Sequence, residues 1–195
     1  MIRRSFIGLA AALALGGAAL AQEGVDLGTQ TLVIDVEGPG ANGTIEIELL
    51  ADVAPAHVER IRLLAEAGAY DGVAFHRVID GFMAQTGDVE FGTRDQYALG
   101  GAGRGGSDLP DLPAEFSDIP FDRGVVGMAR AQNPDSANSQ FFIMFDEGHF
   151  LNGQYTVFGR VASGMEVVDQ ITRGVDQSGS VPEPDYMTSV RVERR

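Results

Sequence analysis

The chain has 195 residues, 44% of them apolar and 22% charged, with a formal net charge of −14; that is enough for one well-cored globular domain and gives no reason to expect disorder. All 14 basic residues are arginine, which excludes a Schiff-base lysine and a P-loop, and the absence of cysteine excludes disulfides and thiolate chemistry. A chain this acidic is repelled by phosphate backbones, so polypeptides rather than nucleic acids are the expected partners.

At the N-terminus, Arg3 and Arg4 precede an apolar stretch from Phe6 to Leu20 that ends in Ala19-Leu20-Ala21. This pattern predicts a signal peptide over 1–21, cleaved before Gln22, and a single domain over 22–195. At about 15 residues the stretch is shorter than the ~20 that span a bilayer, so no stable membrane anchor is expected. The expected location is periplasmic or secreted, and Arg3-Arg4-Ser5-Phe6-Ile7 leaves the general and twin-arginine export routes both open.

Next, Gln30 to Glu37 and Thr44 to Leu50 are β-rich runs separated by a Gly/Pro/Asn cluster, a hairpin pattern in which Ile45, Ile47 and Leu49 alternate with polar residues. From Pro55 to about Ala67 the period becomes helical, with Val58, Ile61, Leu64 and Ala65 on one face and Glu59, Arg60, Arg62 and Glu66 on the other. Asp52 or Ala54 lies near the cap, Pro55 suits the first turn and Gly68 is a stop.

Short β-rich runs follow at Val73 to Ile79, Phe82 to Thr86, Val125 to Ala129, Phe141 to Met144, Thr156 to Val161 and Tyr186 to Val192, with a second short helix over Met165 to Thr172. Many short strands and two helices predict a closed or sandwiched antiparallel sheet. Residues 92–120, rich in glycine and then proline, are expected to be a solvated loop; without a following helix or a lysine they make no phosphate cradle.

The three histidines, His57, His76 and His149, fall on a helix, a strand and a loop with no metal-ligand spacing, so no metal is expected. Ser139 has no nucleophile-elbow context, which argues against hydrolase chemistry. What stands out is Phe75-His76-Arg77-Val78-Ile79-Asp80-Gly81-Phe82-Met83-Ala84-Gln85-Thr86-Gly87-Asp88, a guanidinium in an apolar β-rich segment followed closely by Phe, Met and Gln. Alone, such an arginine also fits a salt bridge on a sheet surface.

This stretch resembles one signature of the cyclophilin family of peptidyl-prolyl cis/trans isomerases. Gly127-Met128-Ala129-Arg130 with Ala137-Asn138-Ser139-Gln140-Phe141-Phe142-Ile143 resembles the other, at the expected distance. Gly43 to Leu50, Phe150-Leu151-Asn152-Gly153 and Val157-Phe158-Gly159-Arg160-Val161 extend the likeness over essentially all of 30–194. The resemblance implies a mainly β fold, a closed eight-stranded antiparallel barrel capped by two α-helices, monomeric, acting on proline-containing polypeptides without cofactor or covalent intermediate.

Residue by residue, it implies that Arg77 is the central catalytic group, with Phe82 and Gln85 beside it. Phe82, Met83, Phe142 and Leu151 would line a proline pocket, and Gln85, Ala129 and Arg130 would hold the substrate backbone. Phe150 stands where many eukaryotic members carry tryptophan; it keeps an apolar wall but lacks an indole N–H, so cyclosporin is expected to bind weakly. Tyr155 occupies a position often held by histidine, and Arg130 replaces a eukaryotic asparagine, as in members of bacterial appearance. With the predicted signal peptide, the bacterial look of the second block suggests a bacterial exported form.

On a strand, Phe141 and Phe142 must face opposite sides, so only one can line the site; the resemblance implies that it is Phe142, with Phe141 in the core. Phe82 and Met83 face the same restriction unless the bend after Gly81 presents both. The rival to an enzyme is a binding module that holds proline peptides without turning them over; Arg77 is the residue that rival does not need. A purely structural barrel would instead have its pocket blocked, with 92–120 as the candidate plug.

Overall fold

The computed structural model describes residues 30–194; the predicted leader over 1–21 lies outside them. Its strands are β1 (Gln30–Glu37), β2 (Asn42–Leu49), β3 (Val73–Ala74), β4 (Arg77–Ile79), β5 (Met83–Thr86), β6 (Val125–Met128), β7 (Phe141–Met144), β8 (Val157–Ser163) and β9 (Tyr186–Arg194). They form one antiparallel sheet in the order β3-β9-β1-β2-β8-β6-β7-β5-β4.

The expected closed eight-stranded barrel is therefore corrected to a curled sheet of nine strands. Its edge strands, β3 and β4, share no ladder among the described residues. They are instead two ends of one segment: Phe75 and His76 separate them, so a predicted single strand is split and pairs with β9 on one side and β5 on the other. Register shifts at Asp35/Val36, Glu46/Ile47 and Val126/Gly127 supply the local bends that let the sheet curl.

Three helices rather than two accompany the sheet: α1 (Pro55–Glu66), α2 (Arg94–Tyr97) and α3 (Met165–Val168). α1 packs on β9 and β8, and α3 on β2. Val58, Ile61, Leu64 and Ala65 are buried as the period requires, but so is Arg60, which had been expected on the solvent face. Its guanidinium donates to the carbonyls of Asn138 and Pro110, anchoring the 92–120 loop; the aliphatic stem covers apolar surface while the head stays satisfied.

Ala54 at the N-cap offers no side-chain acceptor. Glu115, far along the loop, takes its place: it accepts the backbone N–H groups of Ala56 and His57 and lies 2.6 Å from His57 Nδ1. A carboxylate at a helix N-terminus satisfies orphan donors and complements the dipole. Glu115→Ala is expected to cost about 1–2 kcal/mol, read as a lower denaturant midpoint with faster hydrogen exchange in the first turn of α1.

Two apolar clusters divide the interior. The larger fills the curl with Leu32, Ile34, Ile45, Ile47, Ile61, Phe75, Phe141 and Phe158. The smaller, built on Met83, Phe121, Phe142, Met144, Leu151 and Val157, lies on the opposite face of β5 and β7. With both faces covered, β7 reads Phe-Phe-Ile-Met and every residue is buried, where a sheet wet on one side would alternate.

Candidate active site

The smaller cluster is the floor of a cleft of about 280 Å³ lined by Arg77, Phe82, Met83, Gln85, Ala129, Arg130, Phe142, Phe150, Leu151 and Tyr155. All the site residues singled out from the sequence are thus brought to one place. Residues 92–120 do not line this cleft, so they do not plug it.

Strand register explains the convergence. In the β4–β5 hairpin Arg77 opposes Gln85 and Ile79 opposes Met83; across β5–β7, Gln85 opposes Phe142, and across β7–β6, Phe142 opposes Gly127. Opposed residues share a sheet face, so Arg77, Gln85 and Phe142 form one row, while Phe141 turns into the core with 0% exposure. Phe82 escapes the alternation because it lies in the turn before β5, its N–H donating to the Ile79 carbonyl; Gly81, at φ +67°, makes that turn. Both Phe82 and Met83 therefore reach the cleft.

Gly127 occupies the row where the rings need room. A Cβ there would lie 2.6 Å from both the Phe142 and Phe121 rings, which stack at 5.7 Å between centroids. Gly127→Ala is expected to tilt Phe142 into the cleft and raise KM several-fold, about 1 kcal/mol of binding, as checked by peptide titration.

Arg77 is half-buried. Its Nε donates to the Ser178 carbonyl at 3.0 Å and its Nη1 to Gln85 Oε1 at 3.1 Å. No carboxylate pairs with it among the described residues. Burial pulls its pKa down, opposed by the nearby Tyr155, yet a guanidinium stays charged in any protein setting. The arrangement is a desolvated cation held on two sides above an apolar floor.

Aromatic contacts build the walls. Phe150, 66% exposed, lies over Phe82 at 5.4 Å, and Tyr155 meets Phe142 edge-on at 5.8 Å. The Arg130 guanidinium covers the Tyr155 ring and donates to the carbonyls of Gln154, Ala131 and Gln132. Its side chain is thus spent on bracing the wall.

Two contributors escaped the sequence reading. The Ser178 carbonyl is 101 residues from Arg77, and a backbone group carries no residue-type signal. Gln140, which accepts from Gln85 Nε2 at 2.9 Å, stood inside the second quoted block next to the aromatic pair, where it could have been weighed. A second cavity of about 470 Å³ adjoins the cleft across Gln85, Ala129 and Arg130. It is larger and more polar, but it has neither Arg77 nor an apolar floor.

His76, beside Arg77, is buried, and burial holds its imidazole pKa below the usual value, with Asp88 opposing and Arg77 adding a little to the drop. A depressed folded-state pKa means the unfolded chain takes up the proton first, so this contribution is complete above about pH 6.5 and is lost as pH falls from there toward the folded value. His76→Gln is expected to lose less stability than wild type between about pH 7.5 and about pH 5, as read from denaturant midpoints.

The cleft thus sets a cation over an apolar floor, with amide groups alongside. Residues 32–192 match the family model for cyclophilin type peptidyl-prolyl cis-trans isomerase. A probable peptidyl-prolyl cis-trans isomerase of Brucella suis is 59% identical over 154 residues, 78% of this chain and 79% of that one. A peptidyl-prolyl cis-trans isomerase of Acinetobacter baylyi is 36% identical over 77% of this chain and 81% of its own.

Among solved structures, a cyclophilin from Hirschia baltica aligns with a TM-score of 0.68 at 27% identity, covering 85% of this chain and 77% of that one. A cyclophilin type isomerase from Cryptosporidium parvum, crystallised in the presence of the dipeptide Ala-Pro, aligns at 0.70 with 25% identity, covering 85% and 99%. The chain belongs to the cyclophilin family, and its activity is that of a peptidyl-prolyl cis-trans isomerase.

Proposed function

We propose that the cleft binds Xaa-Pro segments of exported polypeptides and that Arg77 accelerates their rotation without a covalent intermediate. The observation carrying this is the guanidinium held by Gln85 and Ser178 above the Met83 and Phe142 floor. An Xaa-Pro bond resists rotation by ~18–20 kcal/mol because of amide resonance. In the twisted transition state the nitrogen regains a lone pair, so a donor aimed at it favours that state over both planar forms.

In this reading Phe82, Met83, Phe142 and Leu151 seat the pyrrolidine ring and exclude water, with Phe150 and Tyr155 as walls. Gln85, Ala129 and Arg130 hold one flank of the backbone while the other turns. Lowering the barrier by ~7 kcal/mol accelerates exchange by roughly 10⁵.

The test is exchange spectroscopy on an Ala-Pro peptide with purified protein. Cis and trans resonances are expected to exchange through the bound state. A peptide that binds yet exchanges at the uncatalysed rate would instead leave a proline-peptide binding module.

Export rests on the N-terminal residues. Expressed in a bacterial host, the chain is expected in the periplasm as a monomer beginning at Gln22. Replacing Arg3 and Arg4 by lysine would abolish export only on the twin-arginine route.

A further inference from the structure

We propose that Asp88 is a positioning residue for catalysis, acting on Arg77 through the 103–105 loop and the side chains of Gln140 and Gln85. The inference rests on the reading of Arg77 as the catalytic donor. Asp88 is fully buried, with 0% exposure, and lies outside the cleft lining. One of its oxygens, Oδ1, closes a local turn by accepting the N–H groups of Glu90 and Phe91. The other, Oδ2, accepts N–H groups from Gly103 and Gly105 at 2.7 and 3.0 Å, reaching 15 and 17 residues ahead.

From there the bonds run toward the cleft. The Gly105 carbonyl accepts from Gln140 Nε2 at 2.8 Å, Gln140 Oε1 from Gln85 Nε2 at 2.9 Å, and Gln85 Oε1 from Arg77 Nη1 at 3.1 Å. An amide has a donor end and an acceptor end. Because a carbonyl meets the NH2 of Gln140, its oxygen must face Gln85, and the Gln85 oxygen is then left for the guanidinium. Were the Gly105 carbonyl to leave, the Gln140 amide would lose the partner that holds its NH2 away from Gln85, and the hold on Arg77 would loosen. Asp88, by fixing Gly105, holds the row at one end as the donor-only guanidinium holds it at the other.

The glycines are what allow so close an approach. A Cβ on Gly105 would lie 2.4 Å from Asp88 Oδ1, and Gly103 has φ +94° with His76 3.2 Å from its Cβ position. This gives the glycine-rich stretch of the 92–120 loop a role in the site although it does not line the cleft.

The experiment compares Asp88→Asn, Gln140→Leu and the double variant with wild type. It measures kcat and KM on an Ala-Pro peptide by exchange spectroscopy, and the Arg77 Nε–H resonance in the free protein. An Asn cannot accept from all four N–H groups, since one end donates.

Each single variant is expected to lose about tenfold in kcat with KM within about twofold, a misplacement effect. The double variant is expected to lose no more than the worse single, as members of one hydrogen-bond network do. The Arg77 resonance is expected to move in Asp88→Asn. A folded Asp88→Asn with wild-type kcat, multiplicative losses in the double variant, or an unmoved Arg77 resonance would overturn the proposal.

Should Asp88→Asn fail to fold, Gly105→Ala displaces the same carbonyl with the carboxylate intact and is held to the same outcomes. Arg77→Ala turning over at the wild-type rate would instead sink the reading of Arg77. The resonance, which does not depend on turnover, separates that result from failure of the relay.

Discussion

Arg77→Ala is expected to lower kcat/KM for prolyl exchange by about 10²–10³, the range seen when a preorganised donor to a transition-state charge is removed. Peptide binding should weaken much less, because the ring is seated by Met83, Phe142 and Leu151. A cost to stability is not expected. The guanidinium is desolvated and has no carboxylate partner among the described residues, so its removal relieves burial of a cation rather than breaking an ion pair.

Arg77→Lys keeps the charge but loses the fork that reaches Ser178 and Gln85 together. It should remain impaired by at least about tenfold. Exchange spectroscopy at saturating peptide, with thermal melts alongside, reads both effects. A lysine variant at wild-type rate would show that charge alone suffices and that the two-sided hold is incidental.

The second large effect separates two neighbours. Phe141 has no exposure and meets both Tyr70 and Phe158 edge-to-face, at 5.8 and 5.9 Å. Phe141→Ala leaves a cavity in the larger cluster and is expected to cost about 3–5 kcal/mol. That is a large share of a typical domain's stability.

Phe142→Ala removes a ring that is also nearly buried, but at the cleft floor between Phe121 and Tyr155. Its cavity opens to solvent, so the stability loss should be smaller and the dominant result a rise in KM of about tenfold or more. Denaturant melts and peptide titrations on the two variants should therefore rank them in opposite orders. Equal stability losses with unchanged KM would remove Phe142 from the proline seat.

Arg77 illustrates what was legible and what was not. Its place in an apolar run marked it as needing a special setting, and the two blocks around it identified the family. Nothing local showed that its Nε would meet a carbonyl from 178 or that Asp88 would reach the row through Gly105. Arg60 is the reverse case: helical period put it on the wet face, yet it is buried at 6% exposure because the carbonyls of Pro110, in the 92–120 loop, and of Asn138 reach its guanidinium.

By itself the sequence placed most of the strands, the first helix and most of the faces. Alternation put Phe141 and Phe142 on opposite faces, the family likeness chose Phe142 for the site, glycines marked the turns, and side-chain chemistry excluded lysine and thiolate mechanisms. These are local properties, set by φ/ψ preference and by side-chain periods that neighbouring residues decide among themselves.

Only the tertiary structure decided the rest. It split the run from Val73 to Ile79 into two edges of a nine-stranded sheet, capped α1 with Glu115, and joined Asp88 to Arg77 through Gly105, Gln140 and Gln85. The reason is physical: buried backbone donors and acceptors must all be satisfied, and which partner satisfies each one depends on where the chain returns in space.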